Sequence, residues 1–121
     1  MKYIIWMKIN LINLTPHPVN IFNKENQLVE TLKSQGSLRL NEISTPTKEL
    51  NSIPVDERYL FCDEENLPII KPNTIYVVSL PFLMGFNGKR SDFVAPDTGS
   101  SCVRDDNGNI LGVKKFISIK K

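Results

Sequence analysis

Residues 74–80, Thr-Ile-Tyr-Val-Val-Ser-Leu, are the strongest strand-forming stretch of the chain, because nearly all of them are β-branched, aromatic or apolar. We therefore predict that this stretch is the central strand of a sheet. Pro81 follows it and cannot donate to a sheet ladder, although it suits the first turn of a helix. The sequence predicts one short helix over residues 81–86, with its two phenylalanines facing inward.

Turn residues on both sides of this strand mark further strands. Asn107-Gly108 adopts positive φ angles easily and lies between two apolar stretches, so we predict a β-hairpin over residues 102–113. The polar loop at residues 23–26 predicts a second hairpin over residues 19–32. Residues 41–56, rich in Ser, Thr, Pro and Asn, are predicted to form a long loop or an irregular edge.

The N-terminal part of the chain predicts a long strand over residues 3–14 that ends in a stiff corner. Pro16 and Pro18 flank His17, the only histidine, and restrict the backbone on both sides of it. This corner is either purely structural or presents His17 to a ligand. Arg39 alternates with two leucines, so its side chain is expected to face solvent or a ligand.

The pattern of the whole chain is that of a β protein. No stretch shows sustained helical periodicity, internal repeats or heptads. The alternation over residues 113–119 predicts a half-exposed edge strand protected by lysines. These patterns predict a mainly β fold, a small rolled antiparallel sheet or open barrel with one short helix. A length of 121 residues suits a single domain over residues 1–121.

Composition and charge restrict the possible partners. A formal charge of +2 is lower than a dedicated duplex DNA binder needs, so duplex nucleic acid is not expected as a partner. Cys62 and Cys102 lie far apart without metal-site spacing and are predicted to be free thiols in a reducing compartment. The apolar N-terminus is interrupted by Lys8 and falls short of the ~20 residues of a membrane span. The sequence therefore favours a cytoplasmic protein without a membrane partner.

The polar stretch Gly88–Ser101 follows the predicted helix and is too rich in Gly, Ser and Asp to be core. It gathers a cation, two carboxylates, hydroxyls and flexible backbone, which together suit a small polar or phosphorylated ligand. Cations would hold a phosphate, carboxylates and amides would hold ribose and base edges, and an aromatic ring would stack on a base. The candidate ligand-binding residues are His17, Phe82, Phe86, Asn87, Arg90, Asp92, Asp97, Thr98 and Arg104.

A structural explanation of the same residues stays open. Arg90 and Asp92 then pair with each other across a turn, and Phe93 belongs to the core. Residues 97–99, Asp-Thr-Gly, then form an Asx turn. The chain lacks phosphate-loop, serine-hydrolase and zinc-protease motifs, so no catalytic residue, cofactor or metal ligand is predicted.

Four segments together resemble a known family, namely residues 13–21 (Asn-Leu-Thr-Pro-His-Pro-Val-Asn-Ile), 76–79, 90–99 (Arg-Ser-Asp-Phe-Val-Ala-Pro-Asp-Thr-Gly) and 103–113. In order and spacing they are similar to a family of small uncharacterised proteins of bacteriophages and their bacterial hosts. Residues 33–72 lie outside the match. The resemblance implies a phage accessory protein that acts in the host cytoplasm.

That setting and the small size favour one function above others. Several phage proteins of this size sequester nucleotide immune signals, such as cyclic oligonucleotides and cyclic ADP-ribose isomers. By analogy we expect a non-enzymatic protein that binds such a ligand, as a homo-oligomer whose protomers share the site. Two alternatives stay open. The first is a structural or assembly protein in which residues 88–101 form a subunit contact, and the second, less favoured, is a small hydrolase acting on a nucleotide.

Overall fold

A computed structural model describes residues 8–86 and 89–120 of the chain. Its elements are β1 (Asn10–Asn13), β2 (Val19–Phe22), β3 (Leu28–Leu32), β4 (Asn41–Leu50), β5 (Ile53–Phe61), β6 (Thr74–Val77), α1 (Leu80–Phe86), β7 (Phe93–Pro96), β8 (Val103–Arg104), β9 (Ile110–Gly112) and β10 (Phe116–Ile117), with a 3-10 turn at Glu64–Asn66. Within these residues, no helix has the length and apolar character needed to cross a membrane.

A four-stranded sheet in the order β1-β6-β7-β10 forms the centre of the fold. β6 contains the stretch predicted to be the central strand, and it runs parallel to both of its neighbours, β1 and β7. β10 adds to β7 in the antiparallel direction and forms one edge, where the sequence predicted an edge strand. The sheet has open edges and is not closed into a barrel.

The prediction of a mainly β fold with one short helix is confirmed. The three two-stranded sheets, β2–β3, β4–β5 and β8–β9, are all antiparallel, as expected. The central sheet differs because three of its strands are parallel. α1 carries the chain back along the sheet between β6 and β7, and such a crossover is what sets two successive strands parallel.

The main hydrophobic core lies between α1 and the central sheet. The rings of Phe82 and Phe86 stack with their centroids 5.5 Å apart, and they lie 5.8 and 5.2 Å from the ring of Phe93 in β7. Tyr76 and Val78 join the same cluster. The inward orientation predicted for the two helix phenylalanines is therefore confirmed.

The opposite face of the sheet carries a second cluster. Val77 lies between Tyr76 and Val78 and points the other way, as alternation along a strand requires. It packs with Val19, Leu32 and Val113 from β2, β3 and the end of β9. Both faces of the central strand are therefore covered, which explains why residues 74–80 are almost continuously apolar.

The expectation that residues 88–101 are too polar for the core is wrong for their middle part. Phe93 and Ala95 in β7 are 1% and 0% exposed, because β7 is an internal strand between β6 and β10. Two apolar side chains at alternating positions are enough to fill the buried face of a four-residue strand. The polar residues of the stretch lie in the turns before and after it.

The hairpins predicted over residues 19–32 and 102–113 are confirmed, but the loop predicted over residues 41–56 is wrong. β4 and β5 form a long hairpin that turns at Asn51-Ser52, whose φ angles of 51° and 65° are the positive values of a type I′ turn. Pro46 and Pro54 favour a loop by composition, but both lie within strands of the hairpin. Pro46 lies where the strand register shifts, and such irregularities accommodate proline within a sheet.

We expect Phe93→Ala to lower the free energy of unfolding by about 3–5 kcal/mol, because it removes the ring that contacts both α1 phenylalanines from a fully buried position. Denaturant unfolding followed by circular dichroism measures the change. Ile70→Ala, at a side chain exposed in a loop, is the control and should shift stability by about 0.5 kcal/mol or less. Equal effects of the two substitutions would contradict the placement of Phe93.

Candidate functional site

A hollow of about 450 Å³, called here the main cavity, opens beside the carboxyl ends of β1 and β6. Its size lies in the usual range for small-molecule sites. Its walls come from the corner after β1, the segment before β4, the base of the β4–β5 hairpin and the start of α1. The lining residues are Pro16, Ser37, Leu38, Arg39, Leu40, Glu42, Leu60, Ser79, Pro81 and Phe82. Crevices beyond the carboxyl ends of parallel strands are common ligand sites in open sheets.

The corner beside the cavity is held by the fully buried side chain of Asn13. Its Nδ2 donates to the backbone carbonyls of His17 and Leu32, at 2.8 and 2.9 Å. Its Oδ1 accepts from the backbone N–H and the hydroxyl of Thr15, at 2.9 and 2.7 Å. An asparagine side chain has two N–H donors and two lone pairs, so its capacity is fully used. Pro16, in the same corner, is thereby fixed at the cavity wall.

Arg39 supplies the positive charge of the cavity. Its neighbours Leu38 and Leu40 pack into the core, and Arg39 itself is exposed, as alternation predicted. The Arg39 side chain makes one hydrogen bond to another described residue, from Nε to the Oγ of Ser37. At 3.5 Å this bond is long. The planar donor fork of the guanidinium is therefore free to bind a phosphate or carboxylate in the cavity.

The remaining polar groups of the main cavity are the carboxylate of Glu42 and the hydroxyls of Ser37 and Ser79. Glu42 forms a 3.7 Å ion pair with Arg58 on the exposed surface of the hairpin. The Ser79 hydroxyl accepts a 3.4 Å hydrogen bond from the backbone N–H of Phe82 and keeps its own proton for donation. The other walls are leucine, proline and phenylalanine side chains. The cavity thus combines one cation, a few hydrogen-bonding groups and apolar walls.

Four of the predicted site residues contact one another or Phe93, the first residue of β7. Arg90 and Asp92 form a bidentate ion pair with N–O distances of 2.9 and 2.6 Å, and their side chains are only 16% and 13% exposed. The guanidinium of Arg90 also lies 4.7 Å from the ring centroid of Phe93. Hydrogen bonding to Asp92 raises the pKa of Arg90, against the opposing effect of burial. Phe82 and Phe86 belong to the hydrophobic core, and Arg90 and Asp92 pair with each other. All four residues therefore have structural roles.

Three further predicted residues, Asp97, Thr98 and Arg104, lie at the carboxyl end of β7. Asp97 accepts hydrogen bonds from the backbone N–H two residues on, at 3.0 Å, and from the hydroxyl of Ser101, at 3.3 Å. This is an Asx turn. Arg104 donates to a carbonyl in the β8–β9 turn at 2.7 Å and to the carbonyl of Thr98 at 3.5 Å.

The structure therefore does not place the eight described residues of the predicted set around one hollow within a single chain. Arg90 and Arg104 lie at opposite ends of β7. His17 is exposed on its proline corner. Phe82 lines the main cavity, and Asn87 lies outside the described residues.

Sequence reasoning missed most of the residues that line the main cavity. Glu42 and Leu60 belong to the β4–β5 hairpin, where the sequence predicts a loop over residues 41–56, and their position depends on the fold of that hairpin. Arg39 was identified as facing solvent or a ligand but was not assigned to the site. One signal for the hairpin was available, since Asn51-Ser52 is a turn dipeptide between two apolar residues.

A second hollow, of about 380 Å³, lies on the other side of the hairpin base beside Arg90 and Lys89. Cys62 lines it, and burial raises the pKa of this thiol, with Asp63 and Glu64 raising it further. Cys62 is therefore a thiol and not a thiolate at neutral pH. Cys62 and Cys102 are free, as predicted. Over residues 8–86 and 89–120, no three His, Cys, Asp or Glu side chains come together in a way that could hold a metal ion.

We expect Arg90→Ala to lower the free energy of unfolding by about 2–4 kcal/mol, because it leaves the largely buried Asp92 carboxylate without its partner. Thermal and denaturant unfolding measure the loss. Arg104→Ala, which removes an exposed guanidinium bound to backbone carbonyls, is the matched control and should cost about 1 kcal/mol or less. A small effect of Arg90→Ala would contradict its structural role.

Comparisons with protein-family models, with curated proteins and with solved structures found no match to this chain. The resemblance to small phage proteins therefore stays a prediction from four sequence segments.

Proposed function

We propose that this protein binds a small nucleotide-type ligand in the main cavity and holds it without changing it chemically. One observation carries the proposal: the exposed guanidinium of Arg39, which makes only a long hydrogen bond to Ser37 among the described residues, stands at the wall of a largely apolar cavity. A cation with free donors beside an apolar hollow suits a ligand that has both an anionic group and a flat ring system. A nucleotide has both.

Each part of such a ligand has a counterpart in the cavity. Arg39 would bind a phosphate through its donor fork. The hydroxyls of Ser37 and Ser79 and the carboxylate of Glu42 would bind ribose hydroxyls or base edges. The apolar walls, with Leu60 on one side, would cover the faces of a base.

The chemistry of the lining favours binding over catalysis. The described lining contains one guanidinium, one carboxylate and two serine hydroxyls, with no histidine or cysteine among them. A guanidinium stays protonated and cannot serve as a general base, and among the described residues the one carboxylate, Glu42, forms no hydrogen bond with either serine. Nucleophilic catalysis by a serine needs an adjacent base that activates it. The lining residues therefore suit recognition and neutralisation of an anion.

The resemblance to small phage proteins supports a more specific form of the proposal. In that setting the ligand is a nucleotide immune signal, a cyclic oligonucleotide or a cyclic ADP-ribose isomer, and the protein sequesters it in the host cytoplasm. We also propose that the protein is a homo-oligomer. A second protomer that covers the cavity would enclose the ligand better than a cavity open to solvent.

Native mass spectrometry of the purified protein with cyclic dinucleotides, cyclic trinucleotides and cyclic ADP-ribose isomers tests the proposal. We expect one of these probes to bind and to be recovered intact after heat denaturation of the complex. A recovered nucleotide that is chemically altered would instead identify a hydrolase. If no probe in the panel binds, the proposed ligand class is wrong.

Arg39→Ala should weaken binding of that probe by about tenfold to a hundredfold, because it removes the charge-assisted hydrogen bonds to the phosphate. Isothermal titration calorimetry measures the loss. The thermal midpoint should hardly change, since Arg39 is exposed and weakly bonded. Arg104→Ala is the control, as it removes an arginine outside the main cavity and should leave the affinity unchanged. If Arg104→Ala abolishes binding and Arg39→Ala does not, the site lies at the carboxyl end of β7 and not in the main cavity.

A further inference from the structure

The β4–β5 hairpin has one apolar and one polar face. Cross-strand pairs place Ile43 opposite Tyr59 and Leu50 opposite Ile53, and the stacked ring of Phe61 lies 5.7 Å from that of Tyr59 on the same side. The four paired side chains are between 54% and 65% exposed. Large exposed apolar faces of this kind usually bind a partner. We call this the apolar face of the hairpin.

The opposite face is polar and has its own internal partners. Glu42 pairs with Arg58 at 3.7 Å, and the hydroxyl of Ser44 donates to the carboxylate of Asp56 at 3.2 Å. Both contacts are diagonal in the register and link β4 to β5. This face therefore needs no partner beyond the chain.

An irregularity in β4 keeps the apolar face continuous. The register shifts between Pro46 and Lys48, so that one extra residue, Thr47, stands in β4. If Thr47 occupied a regular place in the ladder, Leu50 would point to the polar face, because successive side chains in a strand alternate. With the register shift, Leu50 joins Ile43 on one side. The backbone therefore departs from a regular ladder in a way that extends the apolar face to the hairpin tip.

Two charged residues, Lys48 and Glu57, lie within the apolar face and indicate what kind of surface binds it. Glu57 is paired with Thr45 and Lys48 with Val55, and these are successive pairs on the apolar face, separated in the ladder by the Pro46–Asp56 pair of the polar face. Both charges are exposed, and neither forms an ion pair with another described residue. One charge of each sign, close together at the middle of an apolar face, makes that face complementary to itself.

We propose that the apolar face of the β4–β5 hairpin is a self-association surface that binds the same face of a second copy. A two-fold axis between the two charged rungs sets Lys48 of each copy beside Glu57 of the other. The same axis sets the Ile43–Tyr59 rung of each copy against the Leu50–Ile53 rung of the other. Pairing in this way also gives support to a two-stranded hairpin, which is marginally stable when it stands alone in water.

This inference does not depend on the ligand proposed for the main cavity. Glu42 and Leu60, which line that cavity, lie on the other face of the hairpin base. Dimerisation through the apolar face would therefore leave the main cavity open, so a protomer that covers the cavity would bind through a different surface. Ligand binding and self-association can fail or succeed separately.

Sedimentation equilibrium of the full chain over roughly 1 to 200 μM tests for the dimer. We expect a concentration-dependent dimer that Ile53→Ser weakens by about tenfold or more, because the substitution removes apolar area from the paired faces. Circular dichroism should show an unchanged fold, since Ile53 is exposed. A monomer at every concentration would overturn the proposal.

Charge reversal distinguishes a second copy from any other partner. Glu57→Lys and Lys48→Glu should each weaken the dimer by about tenfold, because each sets like charges beside one another on both sides of the two-fold axis. An equimolar mixture of the two variants should associate again, since the unlike charges then meet between chains. Restoration of this kind requires folded chains that contact one another through these residues.

Glu49→Lys is the matched control, because Glu49 pairs with Pro54 on the polar face of the same hairpin. It makes the same change of charge and should leave the dimer intact. Equal weakening by Glu49→Lys and Glu57→Lys would show a general charge effect and overturn the proposal. Failure of the mixed variants to associate would overturn it as well.

Discussion

The buried amide of Asn13 is the interaction on which the cavity side of the molecule depends. It ties the end of β1 to the end of β3 and to the corner that contains His17 through four hydrogen bonds. A buried amide left without partners would cost several kcal/mol, so this arrangement of three chain segments is strongly specified. The backbone carbonyl of Asn13 accepts from the N–H of Gln35, which begins the segment leading to Arg39. One side chain and its own peptide group therefore position two walls of the cavity.

Arg90 and Arg39 differ in whether their guanidinium groups have partners within the protein. Arg90 has a carboxylate two residues away, a carbonyl acceptor and an aromatic ring, and together these use its charge inside the protein. Arg39 lies between two leucines that are drawn into the core, which leaves its guanidinium exposed beside the cavity. A charge already satisfied within the fold stabilises the protein, whereas a charge without a strong partner is available to a ligand.

The β4–β5 hairpin connects the two proposals of binding and association. Its polar face contributes Glu42 and Leu60 to the main cavity, and its apolar face carries Ile43, Leu50 and Tyr59 to the surface. A two-stranded element has no third layer to cover both faces, so one face packs at its base while the other stays exposed. A dimer through the apolar face would cover the exposed side chains and leave Glu42 and Leu60 at the cavity wall.

The sequence alone determined the central strand, the short helix and two of the three hairpins, because each rests on local signals such as β-branched residues, a proline after a strand, or an Asn-Gly turn. It also indicated that Arg39 would be exposed. Only the tertiary structure decided that β1, β6 and β7 are parallel and that Phe93 and Ala95 belong to the core. It also decided that Arg90 forms an ion pair with Asp92. Strand direction and side-chain pairing depend on contacts between segments far apart in the chain, and local propensity does not contain that information.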